Sequence, residues 1–267
     1  MKQKNNICKF VPFSTPKELS TQNFVYETSP ENSSENHVNK NHTMNIVISG
    51  KGRLCTDLIK RNLDAGSVFF TFAESPYKIE NVDNLNYMFI TFSGQRAEEL
   101  FDRFAISPAN CVFGGYEGLV SFWQSSIVKA NEKNLDLISE GVLIYTFSQL
   151  YSSPLNKEDY LVNDILKFIE DNFTDSELSL QSAANELGYN AKYISRIFKE
   201  NLGVTFSEYL KNVRIQHASF LMEQGITAIK NVAILSGYSD PFYFSNVFKK
   251  TVGISPSEFV KKKGNEN

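Results

Sequence analysis

The spacing of hydrophobic and polar positions changes character along this chain. Residues 28–43 are polar and rich in Asn, Ser and Glu, which predicts a loop. From Met44 short runs of Ile, Val, Phe, Tyr and Thr follow one another: Met44–Ser49, Arg53–Arg61, Ser67–Phe72 and Tyr87–Ser93. Gly50-Lys51-Gly52, Asp64-Ala65-Gly66 and Asp83-Asn84 separate them and read as turns. Short strands this closely spaced predict an antiparallel sandwich or barrel. The last run splits by parity. Met88, Ile90 and Phe92 make an apolar ladder expected to pack on helices. Tyr87, Phe89 and Thr91 make a mixed ladder, of the kind that lines a pocket.

After Ser93 the period becomes helical. Ala97, Leu100, Phe101 and Phe104 share one face of Gln95–Phe104, and Leu119–Ala130 and Leu135–Tyr151 also read as helices. The third is apolar nearly all round, through Leu137, Ile138, Val142, Leu143, Ile144, Phe147 and Leu150. Such a helix needs cover on more than one side, which points to a second subunit. Ser152-Ser153-Pro154 then breaks the pattern. The reading is an α+β chain with an N-terminal domain over 1–153, a linker at 154–159 and an all-α domain over 160–267. Within the last, Tyr160–Phe173 places Leu161, Ile165, Phe168 and Ile169 on one face. Thr205-Phe206-Ser207-Glu208 and Ser255-Pro256-Ser257-Glu258 are capping boxes, and Asp240-Pro241 is an N-cap followed by Pro.

The helical part repeats itself. Tyr193, Ser195, Phe198, Lys199, Gly203, Ser207, Glu208 and Lys211 recur fifty residues later as Tyr243, Ser245, Phe248, Lys249, Gly253, Ser257, Glu258 and Lys261. Ala184, Gly188 and Tyr189 recur forty-nine residues later as Ala233, Gly237 and Tyr238, so one residue enters between the glycine and the next helix. Each copy reads as a short helix, a Gly turn and a second helix, the helix-turn-helix pattern that places its second helix in the DNA major groove. A helix of about Thr205–Met222 would join the copies, and eighteen residues at ~1.5 Å each span ~27 Å. Consecutive major grooves on one DNA face lie ~34 Å apart.

Charge agrees with that division of labour. The chain carries a net −3, but residues 1–179 carry −7 and residues 180–267 carry +4. A basic end behind an acidic front suits a polyanion partner for the C-terminal part. No apolar run approaches the ~18 residues of a membrane span. The basic N-terminus lacks a following apolar stretch, so no signal peptide is read. Cys8, Cys55 and Cys111 are odd in number and far apart, which fits neither a disulfide framework nor a C-x-x-C motif. A cytoplasmic protein is expected.

Residues 160–263 resemble the DNA-binding domain of the AraC family of bacterial transcription regulators. The likeness lies in Ala183-Ala184-Asn185-Glu186-Leu187-Gly188-Tyr189, in Tyr193–Lys199, in Arg214 with Ala218 and Leu221, in Gly237–Lys250 and in Gly253-Ile254-Ser255-Pro256. More loosely, residues 40–150 are similar to that family's cupin-like effector barrel, through Ser49–Gly52, Leu63–Phe70 and Phe89–Gly94. The resemblance implies a cupin-like antiparallel β-barrel with flanking helices, followed by two helix-turn-helix modules. It implies double-stranded promoter DNA, a small-molecule effector such as a sugar, a homodimer and RNA polymerase as partners. Activation is the expected mode, with repression left open. No cofactor is expected.

Candidate contacts follow. Periodicity turns Lys192, Ser195, Arg196 and Lys199 outward on the first recognition helix, and Phe242, Tyr243, Ser245 and Asn246 on the second. The resemblance implies base-edge contacts at Lys192, Ser195 and Arg196, and Lys199 suits a phosphate. Asn246 stands where the family usually has Arg; it can read adenine but adds no charge. Phe242 suits a thymine methyl, with packing on a neighbouring helix as the alternative. Arg214 reads as either a phosphate clamp or a structural ion pair. In the barrel the resemblance points to Tyr87 and Phe89 as pocket residues, with ordinary core as the alternative. Tyr77, which stands where many cupins carry His, and His42 complete the candidate pocket. With only His37, His42 and His217 in the chain, a histidine metal site is not expected. No G-x-S-x-G, H-E-x-x-H or P-loop occurs, so no enzyme is expected. Two rivals remain: a regulator whose barrel only dimerises, and a cupin enzyme with an accessory DNA-binding module.

Overall fold

The computed structural model describes residues 18–28, 36–150 and 157–264. Seven strands come mostly first: β1 (Ser20–Thr28), β2 (His37–Val38), β3 (His42–Thr56), β4 (Lys60–Asp64), β5 (Val68–Thr71), β6 (Pro76–Ser93) and, after helix α1 (Gln95–Arg103), β7 (Val112–Phe113). Helices α2 (Glu117–Lys129) and α3 (Leu135–Leu150) end the N-terminal part. The rest is helical: α4 (Lys157–Asn172), α5 (Leu180–Leu187), α6 (Ala191–Leu202), α7 (Phe206–Glu223), α8 (Ile229–Leu235), α9 (Pro241–Val252) and α10 (Pro256–Gly264).

The sheet is antiparallel, in the order β1-β6-β3-β5-β7, with β2 beside β6 and β4 beside β3. Its backbone is the pair β3 and β6, joined from His42↔Phe92 to Thr56↔Tyr77. This corrects the sequence reading at two places. Gly50-Lys51-Gly52 and Asp83-Asn84 are not turns between strands but lie inside β3 and β6. The register shifts between Val47 and Arg53, Gly50 has φ of 78°, and Asn84 has φ of 48°. A side chain at Gly50 would run into the Asn84 carbonyl. Residues that tolerate positive φ serve bulges as well as turns, and here they let two long strands bend together. One half of the pair then carries β1 and β5, the other β2 and β4. The stretch Arg53–Arg61 is likewise split, by a turn in which Thr56 Oγ1 accepts from the amides of Leu58 and Ile59. The expected loop at 28–43 holds the short β2, while 29–35 fall outside the described residues.

The parity of β6 appears as expected on one face: Met88, Ile90 and Phe92 are fully buried. Phe92 meets Phe101 of α1 at 5.8 Å and Phe147 of α3 at 6.2 Å between ring centres. Tyr87, Phe89 and Thr91 stand opposite Val47, Asn45 and Thr43, and all three are half-buried. Val142, Leu143 and Phe147 of α3 are buried, while Leu137 and Tyr145 remain exposed.

In the helical part α7 is the shared spine. Its first half places Tyr209 and Leu210 in a core continuous with α4–α6 and the barrel. Its second half places Ile215, Ala218 and Met222 in a separate core with Val232, Ala233, Tyr238, Phe244 and Phe248. The first module also touches the barrel at β4. Arg61 donates to the Asn201 carbonyl at the end of α6, and Asn212 of α7 donates to the Asp57 carbonyl at 2.5 Å.

Candidate nucleic-acid interface

Both repeats fold alike, and their sequences say why. Gly188 and Gly237 take left-handed φ values of 72° and 81°, which end α5 and reverse the chain after α8. Tyr189 N–H then bonds to Ala184 O, and Tyr238 N–H to Ala233 O, both at 2.9 Å. This backbone-to-turn bond is the Schellman-type closure that a glycine makes cheap. Asn190 caps α6 by accepting from Lys192 N–H, and Asp240 caps α9 by accepting from Phe242 N–H, both at 2.8 Å. The added residue of the second copy is Ser239, between the tyrosine and the cap. Thr205 accepts from Glu208 N–H at 3.2 Å, and the Ser255–Glu258 box closes in both directions.

These caps fix which face of each second helix is free. On α6, Ile194, Ile197 and Phe198 are buried, and Lys192, Arg196 and Lys199 are exposed, with Ser195 half-buried. On α9, Phe244 and Phe248 are buried, while Tyr243 and Asn246 are exposed. Phe242 is 84% exposed, so it does not pack on a neighbouring helix among the described residues. The Ser245 hydroxyl turns back to the Pro241 carbonyl at 2.8 Å. Arg196 donates to Glu200 at 2.7 Å and lies over the Tyr193 ring at 5.5 Å.

Arg214 is engaged inside the protein, with backbone carbonyls in place of the expected ion pair. Its guanidinium donates to the carbonyls of Phe173 at 2.8 Å and Asp175 at 2.6 Å, and covers the Tyr238 ring at 5.6 Å. It ties the α4–α5 connection to α7 and to the second module's turn. Burial lowers its pKa from the ordinary arginine value.

In the barrel the four candidate pocket residues have different surroundings. His42 is held in place: Nδ1 accepts from Ala73 N–H at 3.2 Å, Nε2 meets Glu98 at 3.2 Å, and its ring packs on Phe101 at 4.9 Å. Tyr87 packs between Phe69 at 5.9 Å and Phe89 at 6.2 Å, and burial, then the nearby Tyr77, raises its phenol pKa. Tyr77 lines a cavity of about 230 Å³, and His42, Tyr87 and Phe89 are not among its walls. Behind Tyr77 runs a buried polar chain. Asn39 donates to Tyr77 and to Thr71, both at 3.2 Å; Thr71 meets Thr43 at 2.7 Å, and Asn45 donates to Thr43 at 2.8 Å. The cavity also takes Asp57, Ser75 and Gln216. Sequence reading missed these, because Gln216 belongs to α7 and reaches the barrel only through the packing of the two parts.

Several known proteins are similar to this chain. A helix-turn-helix domain family matches residues 183–262. The Msm operon regulatory protein of Streptococcus mutans serotype c is 26% identical over 84% of this chain and 85% of its own length. The lactose operon transcription activator of Staphylococcus xylosus is 25% identical over 81% of this chain and 82% of its own. The C-terminal domain of AraT, a response regulator from Geobacillus stearothermophilus, is 32% identical over 41% of this chain and 88% of that domain, with a TM-score of 0.38.

Proposed function

The chain belongs to the AraC family of DNA-binding transcription regulators, and from that premise we propose that α6 and α9 read promoter DNA while the barrel answers to a small neutral effector, a sugar. The observation that carries the DNA reading is the pair of second helices, built and capped alike, each with an outward face free of core contacts. Lys192, Ser195 and Arg196 supply base contacts from α6, with Arg196 on guanine and Lys199 on phosphate. Phe242, Tyr243, Ser245 and Asn246 form the face of α9, where the exposed Phe242 ring suits a thymine methyl and Asn246 an adenine. Support for a sugar comes from the polar chain behind Tyr77 and from the name of the lactose operon relative. Dimerisation through α3, action in the cytoplasm, contact with RNA polymerase and an activating rather than enzymatic role complete the proposal.

Arg196→Ala, titrated by fluorescence anisotropy against wild-type and single-base variants of the promoter site, should cost ~1–3 kcal/mol and relax preference at one base pair. Lys199→Ala should weaken all sequences alike. If Arg196→Ala keeps both affinity and preference, α6 is not the reading helix.

A further inference from the structure

We propose that the DNA-binding part supplies one wall of the effector site, with the Gln216 side chain of α7 contacting a neutral single-ring sugar held against Tyr77 and Asp57 of the barrel. The inference rests on the sugar reading above and goes beyond it, since it makes effector binding and domain docking one event.

The cavity is lined from both parts of the chain. The β3–β4 turn contributes Asp57, β5 and the following loop Phe70 and Phe72, the start of β6 Tyr77, the segment before β7 Pro108 and Cys111, and α7 contributes Gln216. About 230 Å³ is smaller than the ~300–1,000 Å³ of drug-sized pockets, and suits one ring rather than a chain of them. Its chemistry suits a polyol. Tyr77 accepts from Asn39 at 3.2 Å, and burial raises its pKa, so a protonated hydroxyl borders the cavity. Asp57 offers a carboxylate to accept from hydroxyls. Phe70 and Phe72 offer apolar surface to the C–H face of a ring. Among the described residues no Lys or Arg lines the cavity, which suits a neutral ligand better than a phosphorylated or acidic one.

Gln216 is exposed, and its amide has no hydrogen-bond partner among the described residues. One turn before it, Asn212 bonds to the carbonyl of Asp57, which itself lines the cavity. Residues four apart share a helix face, so one face of α7 both grips the barrel and presents Gln216. Arg61 holds the same docking from the other side, at the carbonyl end of α6, where a cation is favoured. A ligand that touches both parts has its full affinity only in the docked state, and therefore shifts the population towards it.

The test uses the full-length protein and four probes: D-galactose, D-glucose, L-arabinose and D-galactose 6-phosphate. Thermal melting and calorimetric titration are run on wild type, Gln216→Met and Tyr77→Phe. Methionine keeps the bulk of glutamine and removes its amide. At least one neutral monosaccharide should raise the wild-type Tm, and the phosphate should not. Gln216→Met should leave the unliganded Tm in place and weaken that sugar about tenfold, the size of a lost hydrogen bond or two. Tyr77→Phe should weaken it as well. If Tyr77→Phe loses affinity while Gln216→Met binds like wild type, the site lies in the barrel alone; the sugar reading then stands and this inference falls. If no neutral monosaccharide shifts the wild type, the sugar reading fails and this inference with it. Binding of the phosphate in preference to the neutral sugars overturns the ligand class.

Discussion

Arg196, the proposed guanine reader, is already engaged on its own helix. Its guanidinium is shared between Glu200 at 2.7 Å and the Tyr193 ring at 5.5 Å. Both partners of the ion pair are about half exposed, so the pair contributes only ~0–1 kcal/mol. A bidentate guanine contact is worth ~1–3 kcal/mol, so the proposed contact would outweigh the ion pair. Glu200 still opposes it, and also sets a negative charge near the phosphates. The repeat makes the point sharper. Fifty residues on, Arg196 becomes Asn246 and Glu200 becomes Lys250. The first module sets its proposed reader beside a carboxylate; the second sets a neutral proposed reader on a helix with a lysine at the matching position. Glu200→Ala should therefore tighten promoter binding about two- to fivefold, most strongly at low salt, because screening shortens the reach of exposed charge to ~10 Å at 0.1 M. Anisotropy titrations at two salt concentrations check this. Weaker binding would mean that Glu200 holds Arg196 in its reading posture instead.

At the scale of elements, the repeat offers a matched pair of glycines. Gly203 and Gly253 end α6 and α9 with φ values of 72° and 91°. Open space surrounds Gly253, whereas a side chain at Gly203 would collide with the Lys60 carbonyl of β4. Left-handed backbone costs an L-residue ~1–2 kcal/mol, and this term is common to both. Gly253→Ala should lose about that much, and Gly203→Ala at least ~1 kcal/mol more, because it also has to push β4 away. Urea unfolding of the two variants compares them; equal losses would mean the β4–α6 contact is not kept in solution. The same pair shows what was readable from sequence. The helix-turn-helix copies were legible because their signals are local: a glycine at the turn, a cap, an inward Phe. The fold class was legible for the same reason. The barrel was less so. A Gly-Lys-Gly between apolar runs has one composition for a turn and for a bulge, and pairing with Asn84 decides between them. β1 carries only one buried apolar residue, Phe24, so its half-buried edge position left little periodicity to read. Gln216 had no local signal at all, since its role is set by docking.

At the scale of the whole molecule, the proposed dimer rests on helix α3. Helix α3 was expected to need cover on several sides, and in the single chain it receives it on one. Leu137 is 68% exposed and Tyr145 46%, with the exposed Gly141 midway between them on the same stripe. Phe122 of α2 meets Tyr145 at 4.8 Å, and Val128 of the same helix is 84% exposed. A single exposed apolar side chain is ordinary, but a stripe of them on an all-round apolar helix marks an interaction surface. Two copies of one chain give the simplest closed arrangement, with the same patch used twice. Dimerisation here would leave α6 and α9 free and make the second DNA contact intramolecular, which raises overall affinity by ~10²–10⁴ without a new contact. Leu137→Glu places a charge in the middle of that surface while sitting in solvent in the monomer, so the circular dichroism and the melting of the monomer should be unchanged. Sedimentation should show a dimer for wild type and a monomer for the variant. Affinity for a promoter carrying two sites should fall by about a hundredfold, within the avidity range, while affinity for a single site stays that of wild type. Equal losses on one site and two would place the defect in the DNA-binding part, and a variant that still sediments as a dimer would move the interface off α3.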